Sequence, residues 1–123
     1  MSYSQPPSWT RKRRYRSGHT AEILAAAFLM ARGHRILARR FKTGSGEIDL
    51  ITLKAGRVGF VEVKRRATMA ECEASITPKL RQRVRRAADV WMAKHPRDQQ
   101  RACGFDIVFV LPWRVPVFMR DAL

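Results

Sequence analysis

Apolar and polar positions change their period several times along this chain, and each change marks an element. Residues 18–32 are dominated by Ala, Leu, Ile, Phe and Met, and Gly33 follows as a stop, which predicts a helix. Ile23, Leu24, Ala27, Phe28, Leu29 and Met30 make it apolar nearly all round, so burial on all sides is expected. His34 to Phe41 alternates as a first strand does, and Thr43-Gly44-Ser45-Gly46 forms a turn. Glu47–Leu53 and Arg57–Lys64 read as a second and third strand folded about Ala55-Gly56. Residues 66–76 form a loop or a short irregular helix. Thr77-Pro78 then opens a long helix, with Thr as N-cap and Pro at the first position. Its apolar stripe is Leu80, Val84, Ala87, Ala88 and Trp91, and it ends near Lys94-His95-Pro96. Phe105–Leu111 has the continuous apolar run of a buried central strand. Val115–Met119 is a weaker last strand, placed at an edge by Pro116.

The order helix, three strands, helix, two strands predicts an α/β protein with a mixed β-sheet of about five strands flanked by helices. A length of 123 residues allows one domain. We place it at 17–123, preceded by a basic arm over residues 1–16 with Pro6, Pro7 and no apolar period. That arm is expected to be flexible and either to touch phosphates or to act as a plain solubilising tail.

Charge narrows the function. There are 25 Lys and Arg against 10 Asp and Glu, a formal net charge of +15, and the pI is about 11.5. Such an excess makes a polyanion the default partner. Nineteen of the basic residues are Arg, whose planar fork suits phosphate, so nucleic acid is favoured over an anionic membrane or an acidic protein. No apolar run approaches the ~18 residues that cross a bilayer. The basic cluster Arg11–Arg16 before the apolar run Ile23–Ala31 mimics a signal peptide, but Glu22 and His19 interrupt the approach. Cys72 and Cys103 lack metal-ligand spacing and read as reduced thiols of a cytoplasmic protein. Trp91 is core by spacing, Trp113 reads as packing or an oligomer contact, and His19, His34 and His95 show no ligand spacing.

The second and third strands carry the chemistry. If they form a hairpin about Ala55-Gly56, cross-strand partners have numbers summing to 111. Asp49 then faces Glu62, Glu47 faces Lys64, and all four share one face with Ile51 and Phe60. Like charges directly opposite each other destabilise a sheet. Two carboxylates meeting among apolar neighbours need a counter-ion or a raised pKa. One or two divalent cations, Mg²⁺ or Mn²⁺, are the simplest remedy, with Asp49 and Glu62 as ligands. Lys64 beside them is placed to position or deprotonate a water, or to neutralise charge developing on a phosphorus centre.

Gly46-Glu47-Ile48-Asp49-Leu50-Ile51 followed by Phe60-Val61-Glu62-Val63-Lys64 resembles the PD-(D/E)xK nuclease superfamily. More closely, the chain resembles the YraN family of bacterial predicted endonucleases. Ala21-Glu22, Gly33-His34-Arg35-Ile36-Leu37 and Phe105-Asp106-Ile107-Val108 extend the match over roughly residues 17–111. The resemblance implies a restriction-endonuclease-like core, as in Holliday-junction resolvases. It implies metal-binding roles for Asp49 and Glu62, a catalytic role for Lys64, and a helix acid near the metal in Glu22. A resolvase role would further imply a homodimer. Ile48 stands where the superfamily has Pro, and Asp106 is read as structural.

The basic residues expected to hold the nucleic-acid backbone are Arg39 and Arg40 on the first strand, Arg65 and Arg66 after the E-x-K, and Lys79, Arg83 and Arg86 on the second long helix. Such contacts position a duplex and read no bases. The expected function is a Mg²⁺-dependent endonuclease acting on branched or damaged DNA. The alternatives are a non-catalytic basic DNA- or RNA-binding protein on a nuclease scaffold and a ribosome-associated RNA binder.

Overall fold

A computed structural model describes residues 8–123, with side chains from His19 onward. Helix α1 (Ser8–Ala31) precedes strands β1 (Arg35–Lys42), β2 (Glu47–Lys54) and β3 (Arg57–Arg65). The short helix α2 (Met69–Ala74) and the long helix α3 (Pro78–Lys94) follow, then a 3₁₀ turn (Pro96–Asp98), β4 (Ala102–Val110) and β5 (Val117–Met119). The five strands form one sheet in the order β1-β2-β3-β4-β5. Only β3 and β4 are parallel, because α3 and its flanking loops carry the chain back across the sheet between them. This mixed sheet, flanked by helices, is consistent with the restriction-endonuclease-like core expected above.

The helix starts and stops follow local chemistry. Thr77 caps α3 by accepting from the Leu80 N–H at 3.1 Å, with Pro78 in the first position. Thr68 caps α2 in the same way through Glu71. Gly33, at φ +90°, ends the run out of α1.

Two cores lie on the two faces of the sheet. On one, Val84, Ala87, Ala88 and Trp91 of α3 pack on Ile48, Ile51, Val58, Phe60, Ile107 and Phe109. On the other, Ala21, Ala25, Ala26 and Leu29 of α1 pack on Leu50, Val61, Val108 and Val110. Small residues on this face of α1 let the helix come close to the strands.

Three expectations are corrected. The first helix begins ten residues before the predicted start, within the stretch read as an arm, since Arg and Lys are good helix formers and no proline lies between Pro7 and the end of the helix. Residues 1–7 of that arm lie outside the described residues. Burial of α1 is one-sided: Ile23, Leu24 and Met30 are 47%, 44% and 60% exposed. The helix is an outer layer, and among the described residues nothing covers its far side. Of the two readings of Trp113, packing within the chain does not hold, because it sits fully exposed on the β4–β5 loop at φ +59°. No helix among the described residues is long and apolar enough to cross a membrane.

Candidate active site

The β2–β3 ladder follows the predicted register from Lys54↔Arg57 up to Leu50↔Val61 and ends there. Asp49↔Glu62 and Glu47↔Lys64 are therefore not ladder pairs. The cause lies in β2: Ile48 and Ile51 both enter the α3-side core, which strict alternation forbids. Asp49 lies between these two positions, opposite the stretch of β1 that carries Arg40. Its carboxylate accepts the Val63 N–H at 2.8 Å. A side chain thus substitutes for a ladder acceptor where the two strands part.

Of the four residues expected to converge, Asp49, Glu62 and Lys64 lie near one another, while Glu47 pairs with Arg83 of α3. Asp49 lies close enough to Glu62 for its charge to act on that carboxyl. The Lys64 ammonium lies 3.7 Å from Glu62 Oε1. Glu22, 5% exposed on α1, is close enough for its charge to act on Asp49. Burial comes first in raising the Asp49 pKa, opposed by the hydrogen bonds from Val63 and Glu62. Burial, then the Asp49 charge, pushes Glu62 up to about 9.

Glu22, Arg40, Lys42, Glu47, Ile48 and Asp49 line a cavity of about 190 Å³ beside this pair. Arg40 Nε donates to Glu22 Oε2 at 3.0 Å. It does so from φ +53° in the middle of β1, a conformation that costs a non-glycine residue energy. Arg83 of α3 lies 3.4 Å from Glu47 Oε1. The β1–β2 turn and α3 meet there backbone to backbone: a Cβ on Gly46 would collide with the Arg83 carbonyl, so only glycine allows the approach.

Two buried carboxylate oxygens, Glu22 Oε1 and Glu62 Oε2, have no hydrogen-bond partner. Unpartnered buried acceptors of this kind are groups that a bound cation would satisfy. Among the described residues, no three His, Cys, Asp or Glu side chains group closely enough to form a three-ligand cage. The donor set is a carboxylate pair with a third acid at its edge. It fits a hard ion such as Mg²⁺ or Mn²⁺, which takes one or two carboxylates and completes its shell with water and phosphate.

The structure separates the predicted backbone-binding residues. Arg39, Arg65 and Arg66 are exposed around the acidic end, and Lys79, Arg83 and Arg86 are exposed along α3. Arg40 instead serves as the counter-ion of Glu22, a role invisible in the spacing because it depends on a left-handed residue within a strand. Asp106 is structural, as expected. It is fully buried, accepting from Arg57 Nη1 and Nη2 at 2.9 and 2.7 Å and from the Asp121 N–H at 2.9 Å. Arg57 as its partner was not anticipated, although a fully buried acid requires one.

Fold and site together define an α/β protein with a half-buried acidic cleft where two central strands separate, edged by arginine. Residues 21–110 match the family described as "Uncharacterised protein family UPF0102". Similar proteins include a UPF0102 protein of Mesorhizobium japonicum, 44% identical over 97% of this chain and 95% of that one. One of Rhodopseudomonas palustris is 43% identical over 92% of this chain and 87% of its own. Another, of Bradyrhizobium, is 46% identical over 83% and 72%. The chain belongs to the UPF0102 family, which is the YraN family of the resemblance drawn above.

Proposed function

We propose that the chain is a metal-dependent endonuclease of the PD-(D/E)xK superfamily that hydrolyses phosphodiester bonds of branched or damaged DNA. The observation that carries this reading is the half-buried Asp49 next to the buried Glu62, with an unpartnered oxygen on Glu62 and the Lys64 ammonium beside it. A purely structural sheet gains nothing from opposed carboxylates. A Mg²⁺ or Mn²⁺ ion held by Asp49 and Glu62 would supply Lewis-acid polarisation of the phosphate and its bridging charge. Lys64 holds the attacking water by hydrogen bonding and offsets the negative charge that grows on the phosphoryl oxygens. Glu22, released from Arg40, would add a further acceptor at the same edge. The exposed arginines and lysines hold the backbone and bring the scissile phosphate to the cleft.

Cleavage of branched, nicked, single-stranded and linear DNA with Mg²⁺ or Mn²⁺ tests the reading. Asp49→Ala and Lys64→Ala should each reduce the rate by at least about 100-fold. Mg²⁺ should also raise the melting temperature of the wild type and leave that of Asp49→Ala unmoved. Salt-sensitive binding with no cleavage of any substrate would replace the proposal with the non-catalytic binder. Activity unchanged in both variants would remove these residues from the site.

A further inference from the structure

We propose that the cavity at the hairpin end of the sheet, beneath the β2–β3 turn, is a binding site for a single phosphate-class anion. The cavity measures about 210 Å³ and is lined by His34, Thr52, Lys54, Arg57, Phe118 and Arg120, with Ala55 at its rim. None of the acidic cleft's residues lines it, so the inference stands apart from the proposed activity.

Three lining cations face two nearby carboxylates, and those carboxylates are already occupied. Asp106 is taken up by Arg57 and the Asp121 N–H. Asp121 accepts from Arg57 at 2.8 Å and lies 3.5 Å from Arg120. Lys54 has no acidic partner among the described residues, and its charge is uncompensated. The decisive group is His34. It is 9% exposed, its ring is fixed edge-on to Phe118 at 5.4 Å, and its Nδ1 is buried with no hydrogen-bond partner. Burial, then Lys54, with Arg57 and Arg32 behind it, holds this imidazole below its ordinary pKa, while Asp106 acts in the opposite sense. The lining carries one more positive charge than the two nearby carboxylates offset, and an oxyanion held beside Lys54 and the His34 ring would balance it.

Size selects the ligand. Organic ligands usually occupy pockets of about 300 Å³ or more. This cavity takes one tetrahedral oxyanion and the first atoms of its ester. The phosphoryl group has two sources: a small phosphate compound or the terminal phosphate of a nucleic-acid strand.

The test uses the full chain with ¹⁵N-labelled histidine, titrated with inorganic phosphate at constant ionic strength, with chloride as the control. The His34 ring resonance should move saturably with phosphate and not with chloride. In Lys54→Gln, an exposed and benign substitution, the Kd should rise roughly tenfold. A His34 signal that does not move, that moves equally with chloride, or that responds identically in Lys54→Gln overturns the site. A second arm compares 5′-phosphorylated and 5′-hydroxyl oligonucleotides. If the preference for the phosphorylated strand is lost in Lys54→Gln, the ligand is a strand end. If inorganic phosphate binds with no such preference, the ligand is a small phosphate compound.

Discussion

Two buried ionic clusters sit at opposite ends of the same central strands, and they are built on opposite principles. At the hairpin end, Arg57 and Asp106 are a cation and an anion in bidentate contact, and both Asp106 oxygens are satisfied. At the other end, Asp49 and Glu62 are two acids that burial pushes above their ordinary pKa values, and Glu62 Oε2 has no partner. The hairpin-end cluster needs nothing more than the chain supplies. The acidic cluster leaves carboxylate oxygens of Glu22 and Glu62 without a partner from the chain. Burial alone thus does not mark function; the difference lies in whether the buried group is satisfied.

The largest effect expected on stability comes from breaking the satisfied cluster. Asp106→Ala leaves the largely buried Arg57 guanidinium without its main partner, and should cost about 3–5 kcal/mol. Asp49→Ala should cost less, about 1 kcal/mol or under, since the relief of like-charge burial offsets the loss of the acceptor for the Val63 N–H. Urea unfolding of both variants in chelator checks this, and equal losses would erase the contrast between the two ends. Gly104 belongs to the same cluster, because a Cβ there would collide with the Arg57 guanidinium.

The acidic end carries its own pH signature. The Glu62 pKa is raised in the folded state from its ordinary 4.5 to about 9. Between those values the folded chain holds a proton that the unfolded chain has released, so stability falls as pH rises. The contribution is fully present below 4.5 and is lost as pH climbs to about 9. Glu62→Gln keeps the shape without the charge. It should flatten this slope and add on the order of 1–3 kcal/mol above neutral pH. Thermal melts of the two proteins across that window, without metal, would show the curves diverging. Parallel curves would mean that Glu62 is solvated and carries no strain.

Most of the frame was legible from periodicity and punctuation. Thr77-Pro78, Gly33 and Ala55-Gly56 mark their boundaries by backbone chemistry that depends on one to three residues, and the structure places ends there. The register from residue 50 to 54 followed from the same turn. What was not legible depends on departures from regularity. The end of the β2–β3 ladder before Asp49 and the left-handed Arg40 are set by tertiary packing that no period-2 pattern contains. Arg57 and Asp106 are 49 residues apart in sequence and meet only through the parallel pairing of β3 and β4. One-sided burial of α1 was misread because an outer helix can be apolar on its free side, and composition does not say which layer a helix occupies.

Arg40 offers a finer test of how the acidic end balances itself. Its guanidinium is partly exposed, so the ion pair with Glu22 contributes at most about 1 kcal/mol. Its positive φ costs about as much. Arg40→Gly removes both, whereas Arg40→Ala removes the pair and keeps the strain. The glycine variant should therefore be the more stable by about 1 kcal/mol. Equal stabilities in chemical denaturation would show that the left-handed kink is not a cost that the Glu22 contact offsets.

The smallest effect on stability belongs to cations at neither end. Lys79 and Arg86 stand exposed on α3, away from both buried clusters. Their removal should leave unfolding within about 0.5 kcal/mol of the wild type. If they hold phosphates, their effect appears instead in the salt dependence of DNA binding. Each Ala substitution should lower the slope of log K against log salt by about 0.9, and by the same amount for any sequence. Fluorescence anisotropy at several salt concentrations reads that slope directly. A slope unchanged in both variants would take α3 off the nucleic-acid surface and leave the arginines around the acidic cleft to carry it. A slope lowered together with stability would mean that these side chains also brace the fold, and the division between satisfied structure and unsatisfied site would need a third class.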